Sequence, residues 1–451
     1  MKRAIFSAAL LLMMSASLGA QTIDNAKGSF PFAFFNNLEE IQEAEDNTFV
    51  SPLSLWMAMG MVQSGANGNT LTEVLQTLGL DANITSDSLN AYNKQLMAAL
   101  RDPHEILGQD FFIEEEKVYA PVLETANGVW SDEGFPFLNS FYGTVTDSYD
   151  AHLQTLDLSL PSSMDAIDRW VSDNTHGTIG KLGVQPSDGL RMMLVNTLCF
   201  KGNWRCSFIK EFTDRNGRFY NYGTAPVGAT MMHGKFNSVE YAHTSGITAV
   251  ALPYGMFGRY RMNVLMPDDS ALRLTPETYQ QVKESMQQSD IDLTLPKFSL
   301  DCDFNLCDVL PRMGMREAFT PQADFSRMSE EDLLITQARQ LSHLEIDEDG
   351  TIASAATVFG FDSEGFDEPT FEPVAFNHPF YVTIEDTQTN TILFIGHITN
   401  ISKAQKHLAP AAIQSVPKAT PQPSRLMLTD EGRLLIRKDG RDYTLEGIAV
   451  K

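Results

Sequence analysis

Apolar and polar positions along this chain follow two periods, and the period changes partway through. In the first half, residues 51–64 open on Ser-Pro and continue with Leu, Trp and Met at helical spacing. Residues 69–78 and 165–174 repeat that pattern on a shorter scale. Each stripe predicts a helix with one face turned to a core. The second half reads mainly as strands, at residues 191–200, 249–253, 260–267, 291–300, 341–347, 379–385 and 391–398. Several are near-continuous apolar runs, as expected of strands covered on both faces. Together these elements predict an α+β fold, helices packed on large mixed β-sheets. From about Phe30 to Ser402 no linker, repeat or shift of composition interrupts the pattern, so residues 21–402 form one domain.

The two ends differ from this body. Lys2 and Arg3, an apolar run from Ala4 to Met14 and small residues over 17–20 predict a signal peptide at residues 1–20, cut before Gln21, with Leu18 a poor fit to the cleavage pattern. The run is too short to span a bilayer, and no later segment approaches the length one needs. The expectation is an exported protein, secreted or periplasmic, without membrane insertion. Residues 403–424, rich in Ala and Gln and carrying Pro410, Pro417, Pro421 and Pro423, predict a semi-rigid linker. Beyond it, residues 425–429, 433–438 and 442–450 are short strand candidates separated by Gly-containing turns. Such a meander is marginal alone. It is either a sorting tail, loosely resembling the secretion tails of some Gram-negative bacteria, or a strand add-on to the main body.

Charge and chemistry narrow the function by exclusion. A net charge of −25 repels phosphate backbones and anionic lipid, which argues against nucleic-acid and membrane-surface partners. Among the cysteines, Cys199 lies in an apolar strand-like run and reads as a buried thiol, while Cys302 and Cys307 can pair across a short loop. None has metal-ligand spacing. No GxSxG, HExxH, GxGxxG or P-loop occurs. Gly177 to Lys181 has the wrong spacing for a phosphate loop, Ser415-Val-Pro-Lys418 falls between linker prolines, and His104-Glu105 lacks a second histidine. No catalytic residue, metal or cofactor is assigned, and an enzyme is not expected.

The most informative stretch is Glu345 to Phe366. An acidic lead-in reaches Gly350, and small or β-favouring residues follow with no proline before Pro369. An exposed loop usually carries residues that keep it from pairing; this one is fit to become a strand. In a sheet, Thr351, Ala353, Ala355, Thr357, Phe359 and Phe361 would share one face, small near the hinge and bulky further on. Fourteen residues reach roughly 46 Å when extended. Insertion of such a strand releases on the order of 10–30 kcal/mol in hydrogen bonds and apolar burial. A permanent strand followed by a flexible acidic loop fits the local pattern as well.

Residues 30 to 402 resemble the serpins. The segments that carry the likeness are Asn47 to Ser54 (NTFVSPLS), Leu194 to Trp204 (LVNTLCFKGNW), Leu252-Pro-Tyr254 running into Met262 to Pro267 (MNVLMP), Pro296-Lys-Phe298, Glu345 to Thr357, Phe376 to Phe380 (FNHPF) and Ile392 to Gly396 (ILFIG). Residues 403–451 lie outside it. The resemblance implies a suicide inhibitor of serine, and also cysteine, proteases. The target cuts an exposed reactive loop, forms an acyl-enzyme, and is trapped in a covalent 1:1 complex when the cut loop enters the central sheet. It further implies a monomer, here a secreted, bacterial-type member. By position, Ser51, Ser54 and Asn196 match the family's shutter, with Gln340 where a histidine is usual; an amide can still hydrogen-bond there. Trp204 matches the breach tryptophan. Glu348 matches the hinge glutamate and Lys297 its ion-pair partner. Gly350, Thr351, Ala353, Ala355 and Ala356 match the small hinge positions of inhibitory members, and Ile352 stands where an acidic residue is common. Counting from Glu348 places the scissile bond at Glu364–Gly365. Counting back from the FNHPF segment gives Glu368, and Phe361 and Phe366 keep a chymotrypsin-like target open. The alternative within the family is a non-inhibitory, binding or chaperone-like member.

Overall fold

The structure, a computed structural model, describes residues 2–81, 83–101, 121–221, 225–255, 257–351, 370–405, 425–428, 434–438 and 441–443. Helix α1 (Lys2–Glu39) comes first, and its buried positions include Ile23, Ala26, Phe30, Phe34 and Leu38, spaced by three and four residues. Strand β1 (Thr48–Val50) leads to α2 (Pro52–Gly65), which starts where Ser51 Oγ accepts the Ser54 N–H and Pro52 pre-sets the first turn. Then come α3 (Gly68–Thr77), α4 (Ser86–Leu100), β2 (Val122–Asp132), α5 (Asn139–Tyr149), β3 (His152–Leu156), α6 (Pro161–Asn174) and β4 (Met192–Asn203). The later half supplies β5 (Asp214–Phe219), β6 (Val227–Thr244), β7 (Ile247–Pro253), β8 (Tyr260–Pro267), α7 (Pro276–Ser285), β9 (Gln287–Pro296) and β10 (Phe298–Asn305). It closes with α8 (Leu310–Met313), β11 (Arg339–Ile346), β12 (Gly350–Thr351), β13 (Glu372–Ala375), β14 (Phe380–Asp386), β15 (Thr391–Ile398) and α9 (Ile401–Ala404).

Two sheets result. One is ordered β10-β11-β12-β4-β2-β3; the other runs β1-β15-β14-β8-β7-β6-β9-β13, with β5 also on β6. Helix α2 packs on β4 of the first sheet and β15 of the second, which explains why nearly all of its residues are buried. Strand β4 therefore divides its side chains. Leu198 and Phe200 join the main core, whereas Met193 and Val195 meet Trp130, Ile167 and Val171 beneath α6 in a second, smaller one.

Several expectations need revision. Residues 291–300 are two strands, not one: β9 and β10 lie in different sheets and the chain changes sheet at Lys297. The first half is less purely helical than its pattern, because β2 and β3 precede β4; β2 carries Glu124, Asn127 and Gly128 in place of an apolar run. All four cysteines are free, so Cys302 and Cys307 are unpaired. Cys302 Sγ instead faces the Asn47 carbonyl, and burial pushes its thiol up to about 12. Cys199 is buried, and burial raises its thiol as well. Packed chain continues past residue 402: Ala404 is buried, and the Gln405 amide exchanges two hydrogen bonds with the Thr230 backbone and donates a third to Lys297 O at 2.6 Å. By its contacts the chain divides into Met1–Lys406 and His407–Lys451. The second unit holds an antiparallel sheet of β16 (Arg425–Leu428), β17 (Leu434–Lys438) and β18 (Arg441–Tyr443).

Charge is also buried in the body. Arg259 and Asp386 pair at 2.8 Å with side chains 7% and 0% exposed, and Arg259 also donates to the carbonyl of Ala99 at the end of α4. Removing one partner leaves the other charge uncompensated. Arg259→Ala is therefore expected to cost about 3–5 kcal/mol, seen as a lower denaturant midpoint in chemical unfolding.

Candidate functional site

The first sheet is not closed along its length. Strand β4 is paired with β2 over Met192–Lys201, but on its other side, among the described residues, it meets only β12, at Gly202 and Asn203. Strand β11 is paired with β10 throughout, and on its other side meets β12 only at Ile346. Below β12 the two edges face each other with no strand between them among the described residues. A cleft of about 390 Å³ occupies this seam, lined by residues such as Leu194, Asn196, Leu341 and Gln340 from the strands and Ser51 and Ser54 from α2 and its cap. Open edges of this length are a liability that proteins usually cover. Here they line a cleft.

The top of the seam is held by a polar clasp. Asp347 bends the chain: its Oδ1 accepts the N–H groups of Asp349 and Gly350 at 2.9 and 3.1 Å. Gly350 has φ +154°, and a Cβ there would lie 2.2 Å from Gly202 O, so only glycine passes. Glu348, nearly buried, takes the Lys297 ammonium at 2.6 Å and the Thr213 hydroxyl at 2.8 Å. Asp349, also nearly buried, takes Lys210 at 2.6 Å. Trp204 closes the clasp from below. Its backbone N–H donates to Asp349 O and its indole N–H to Asp347 O, both at 2.9 Å, while its ring stacks on Tyr254 at 4.5 Å. The Tyr254 hydroxyl meets that of Thr351 at 2.5 Å, and Thr351 is 2% exposed.

Two carboxyls of this turn titrate in opposite senses. Burial works against the charge of Glu348, yet the hydrogen bonds of Lys297 and Thr213 outweigh it and hold the group below the usual range. At Asp347 burial prevails over the two backbone donors, and its value is raised. The hydrogen bond to Asp349 raises Lys210.

Lower in the seam, Ser51, Ser54, Asn196 and Gln340 come together. Ser51 Oγ donates to Leu393 O at 2.8 Å, and Ser54 Oγ to Asn196 O at 3.3 Å. Gln340 Nε2 donates to Ser51 O at 2.8 Å, so the amide ties β11 to the cap of α2. Asn196 Nδ2 donates to Asn127 Oδ1 at 2.7 Å. The structure thus gathers Trp204, Lys297, Glu348, Gly350 and Thr351 at one end and the two serines, Asn196 and Gln340 in the middle. Ala353, Ala355, Ala356, Glu364 and Gly365, with the competing bonds at Phe361, Phe366 and Glu368, lie outside the described residues. Sequence reasoning missed Lys210, Thr213, Asn127 and Asp349; Lys210 and Thr213 are more than a hundred residues from the hinge in sequence and carry no local pattern.

Comparison with known proteins agrees with this architecture. The family model "Serpin (serine protease inhibitor)" matches residues 25–401. Iripin-3 of Ixodes ricinus is 32% identical over 374 residues, covering 79% of this chain and 89% of its own length. A serine protease inhibitor of Mus musculus is 30% identical over 390 residues, covering 84% of this chain and 89% of its own. Among solved structures, the thermophilic serpin Tengpin in its native state superposes with a TM-score of 0.71 at 24% identity, over 83% of this chain and 93% of that one. Human thyroxine-binding globulin complexed with thyroxine gives 0.72 at 23%, over 85% and 99%. At that identity these two speak for the fold alone.

The clasp has a definite pH dependence. Because Glu348 is held low, its contribution is fully present above the ordinary glutamate value of about 4.3 and is lost as pH falls through its depressed folded value. Asp347 has the opposite sign: its charge opposes docking near neutral pH, and acid relieves it. Lys297→Met should remove most of what holds Glu348 down, and so shrink the acid-side loss of stability. The check is the unfolding midpoint of wild type and variant, followed from neutral pH down through the carboxylate range.

Proposed function

The chain belongs to the serpin family, and on that premise we propose that it is an exported suicide inhibitor of serine, and also cysteine, proteases. One observation carries this reading. Strand β12 is already seated between β4 and β11, while the seam below it holds an apolar cleft and no strand among the described residues. Continued in the same register, residues 352–358 would lie opposite 345–339 of β11, and residues 352–361 opposite 201–192 of β4. The first half of the loop between Thr351 and the anchored β13 would thus have a seat in the body.

The proposed sequence of events follows from that geometry. A target protease attacks the bond Glu364–Gly365, and its nucleophile becomes esterified to the new carboxyl end of the loop. Release of the tether lets residues 352–361 enter the seam, gaining ladder hydrogen bonds and burying Phe359 and Phe361 on the core face. The protease travels with the loop. Deacylation needs an oxyanion hole and triad placed to a fraction of an ångström, so distortion on arrival stalls the ester in a covalent 1:1 complex. Hinge residues Glu348, Gly350, Thr351, Ala353, Ala355 and Ala356 start the entry. Trp204 and Lys297 hold the breach, and Ser51, Ser54, Asn196 and Gln340 form the shutter that must admit the strand.

The description of the family as serine protease inhibitors, shared by the mouse relative, supports the activity class. The leader supports export. A bacterial-type source rests on the likeness of residues 425–451 to secretion tails, since the relatives described above are animal and thermophile proteins. An acidic residue before the cut suits a protease whose pocket offers a basic side chain.

Incubation with a Glu-preferring and with a chymotrypsin-like protease should each be checked for an SDS-stable band of enzyme plus inhibitor. A loop cut with no such band, and no rise in the melting midpoint of the nicked protein, would leave a binding member of the family. Thr351→Arg would place a charge against Tyr254 in the core, at a cost of several kcal/mol; the variant should be cleaved as a substrate with little complex, scored by the complexed fraction on the same gels.

A further inference from the structure

The chain is strongly acidic, with a net charge of −25, yet residues 201–218 reverse the sign: Lys201, Arg205, Lys210, Arg215 and Arg218 stand against Glu211 and Asp214. Much of this stretch is strand β5, which lies at the margin of its sheet and pairs with β6 alone. Arg215 and Arg218 are exposed and form no ion pair among the described residues. Phe212, just before the strand, is 61% exposed, more than any other large apolar side chain described. Just after the strand, Tyr220 is partly exposed and stacks on the exposed His378, ring centroids 4.6 Å apart. Charges on an edge strand discourage pairing with other chains, and the register shift within β5 works to the same end. Guarding of that kind accounts for the arginines but not for the aromatic side chains left open beside them. Aromatic residues set among arginines are the composition of a protein-binding surface.

The place of β5 in the fold selects the partner. At its head, the Thr213 hydroxyl donates to Glu348 in the clasp, where the loop begins. At its far end, the Tyr220 N–H donates at 2.8 Å to the carbonyl of Asn377, two residues past β13, where the loop ends. The strand is thus tied at both ends to the chain that flanks the loop, alongside any enzyme at work there. We propose that the β5 edge, through Phe212, Arg215, Arg218 and Tyr220, is a second contact for the target protease, made to an acidic patch of that enzyme outside its cleft. The proposal rests on protease inhibition as read above, and adds a determinant of enzyme choice other than the bond that is cut. The net charge of the chain repels an acidic enzyme at long range, and the basic edge offsets that repulsion at the one face that matters. Complementarity of this kind acts on the rate of encounter and on orientation.

Rates of complex formation by the full-length chain test this. Wild type and the double variant Arg215→Glu/Arg218→Glu are compared against a Glu-preferring protease of acidic net charge and a chymotrypsin-like protease of basic net charge, at about 0.05 and 0.2 M salt. A control, Arg169→Glu/Arg312→Glu, makes the same change of net charge at exposed positions on α6 and α8. The β5 variant should associate with the acidic enzyme about 10-fold more slowly at low salt, and with a weaker salt dependence than wild type. The control should stay near wild type, the basic enzyme should not be slowed, and all three proteins should share one melting midpoint. Glutamate guards an edge as well as arginine does, so a purely guarding role predicts equal rates throughout. Equal rates, equal slowing in both variants, or complex formation with the basic enzyme alone overturns the docking contact and leaves inhibition standing. If neither enzyme forms an SDS-stable complex with wild type, the inhibitory reading fails and the contact falls with it.

Discussion

Everything in this molecule turns on two β-edges that face each other without meeting. Strands β4 and β11 each carry a row of backbone donors and acceptors toward the seam, and only β12 bridges them among the described residues. Backbone groups along a strand edge normally find partners, and one added strand would supply them here. Packing and hydrogen bonds of the rest of the body fix the two edges in place. Helix α2 props the two sheets from within, and Gln340 ties the edge of β11 to its cap. The clasp around Glu348 and Asp349 fixes the point from which any added strand must start.

That clasp is built from charges. An apolar anchor would pull the turn permanently into the core. Ionic partners of nearly buried carboxylates instead fix direction, since Glu348 and Asp349 each reach a separate lysine on a separate part of the chain. Lys297 owes its place to the sheet change between β9 and β10, and its backbone carbonyl is held by Gln405. The point where the two sheets join is therefore also the point where the loop begins.

How much of this could be read beforehand varied with the range of the interaction. Strand β8 and strand β15 were legible to the residue, because local apolar runs set both ends. The split of 291–300 into two sheets was not, since Lys297 looks like an ordinary strand residue until its partner Glu348 is placed beside it. Gly350 and Thr351 were singled out as hinge positions through the family resemblance, and the structure describes them as the two-residue strand β12. By contrast Lys210 and Thr213, which complete the clasp, sit in a short polar stretch with no periodicity. Helices α4 and α5 were missed for a different reason: Asn90, Asn93 and Tyr149 are buried polar groups bonded to one another, and polarity of that kind reads as surface.

The two moorings of the loop have a consequence for how such a protein can change. Upstream, the chain is pinned through Thr351 by groups of the body, and downstream by the parallel pairing of β13 on β9, where Val374 is buried. Both moorings are made by described residues outside the segment between them. On the proposed reading the intervening segment would be an exchangeable cassette, its first part answerable to the slot and its later part to whatever enzyme comes to cut it. Preference for a new adversary would then be rewritten there by a handful of substitutions, with the spring behind it left untouched.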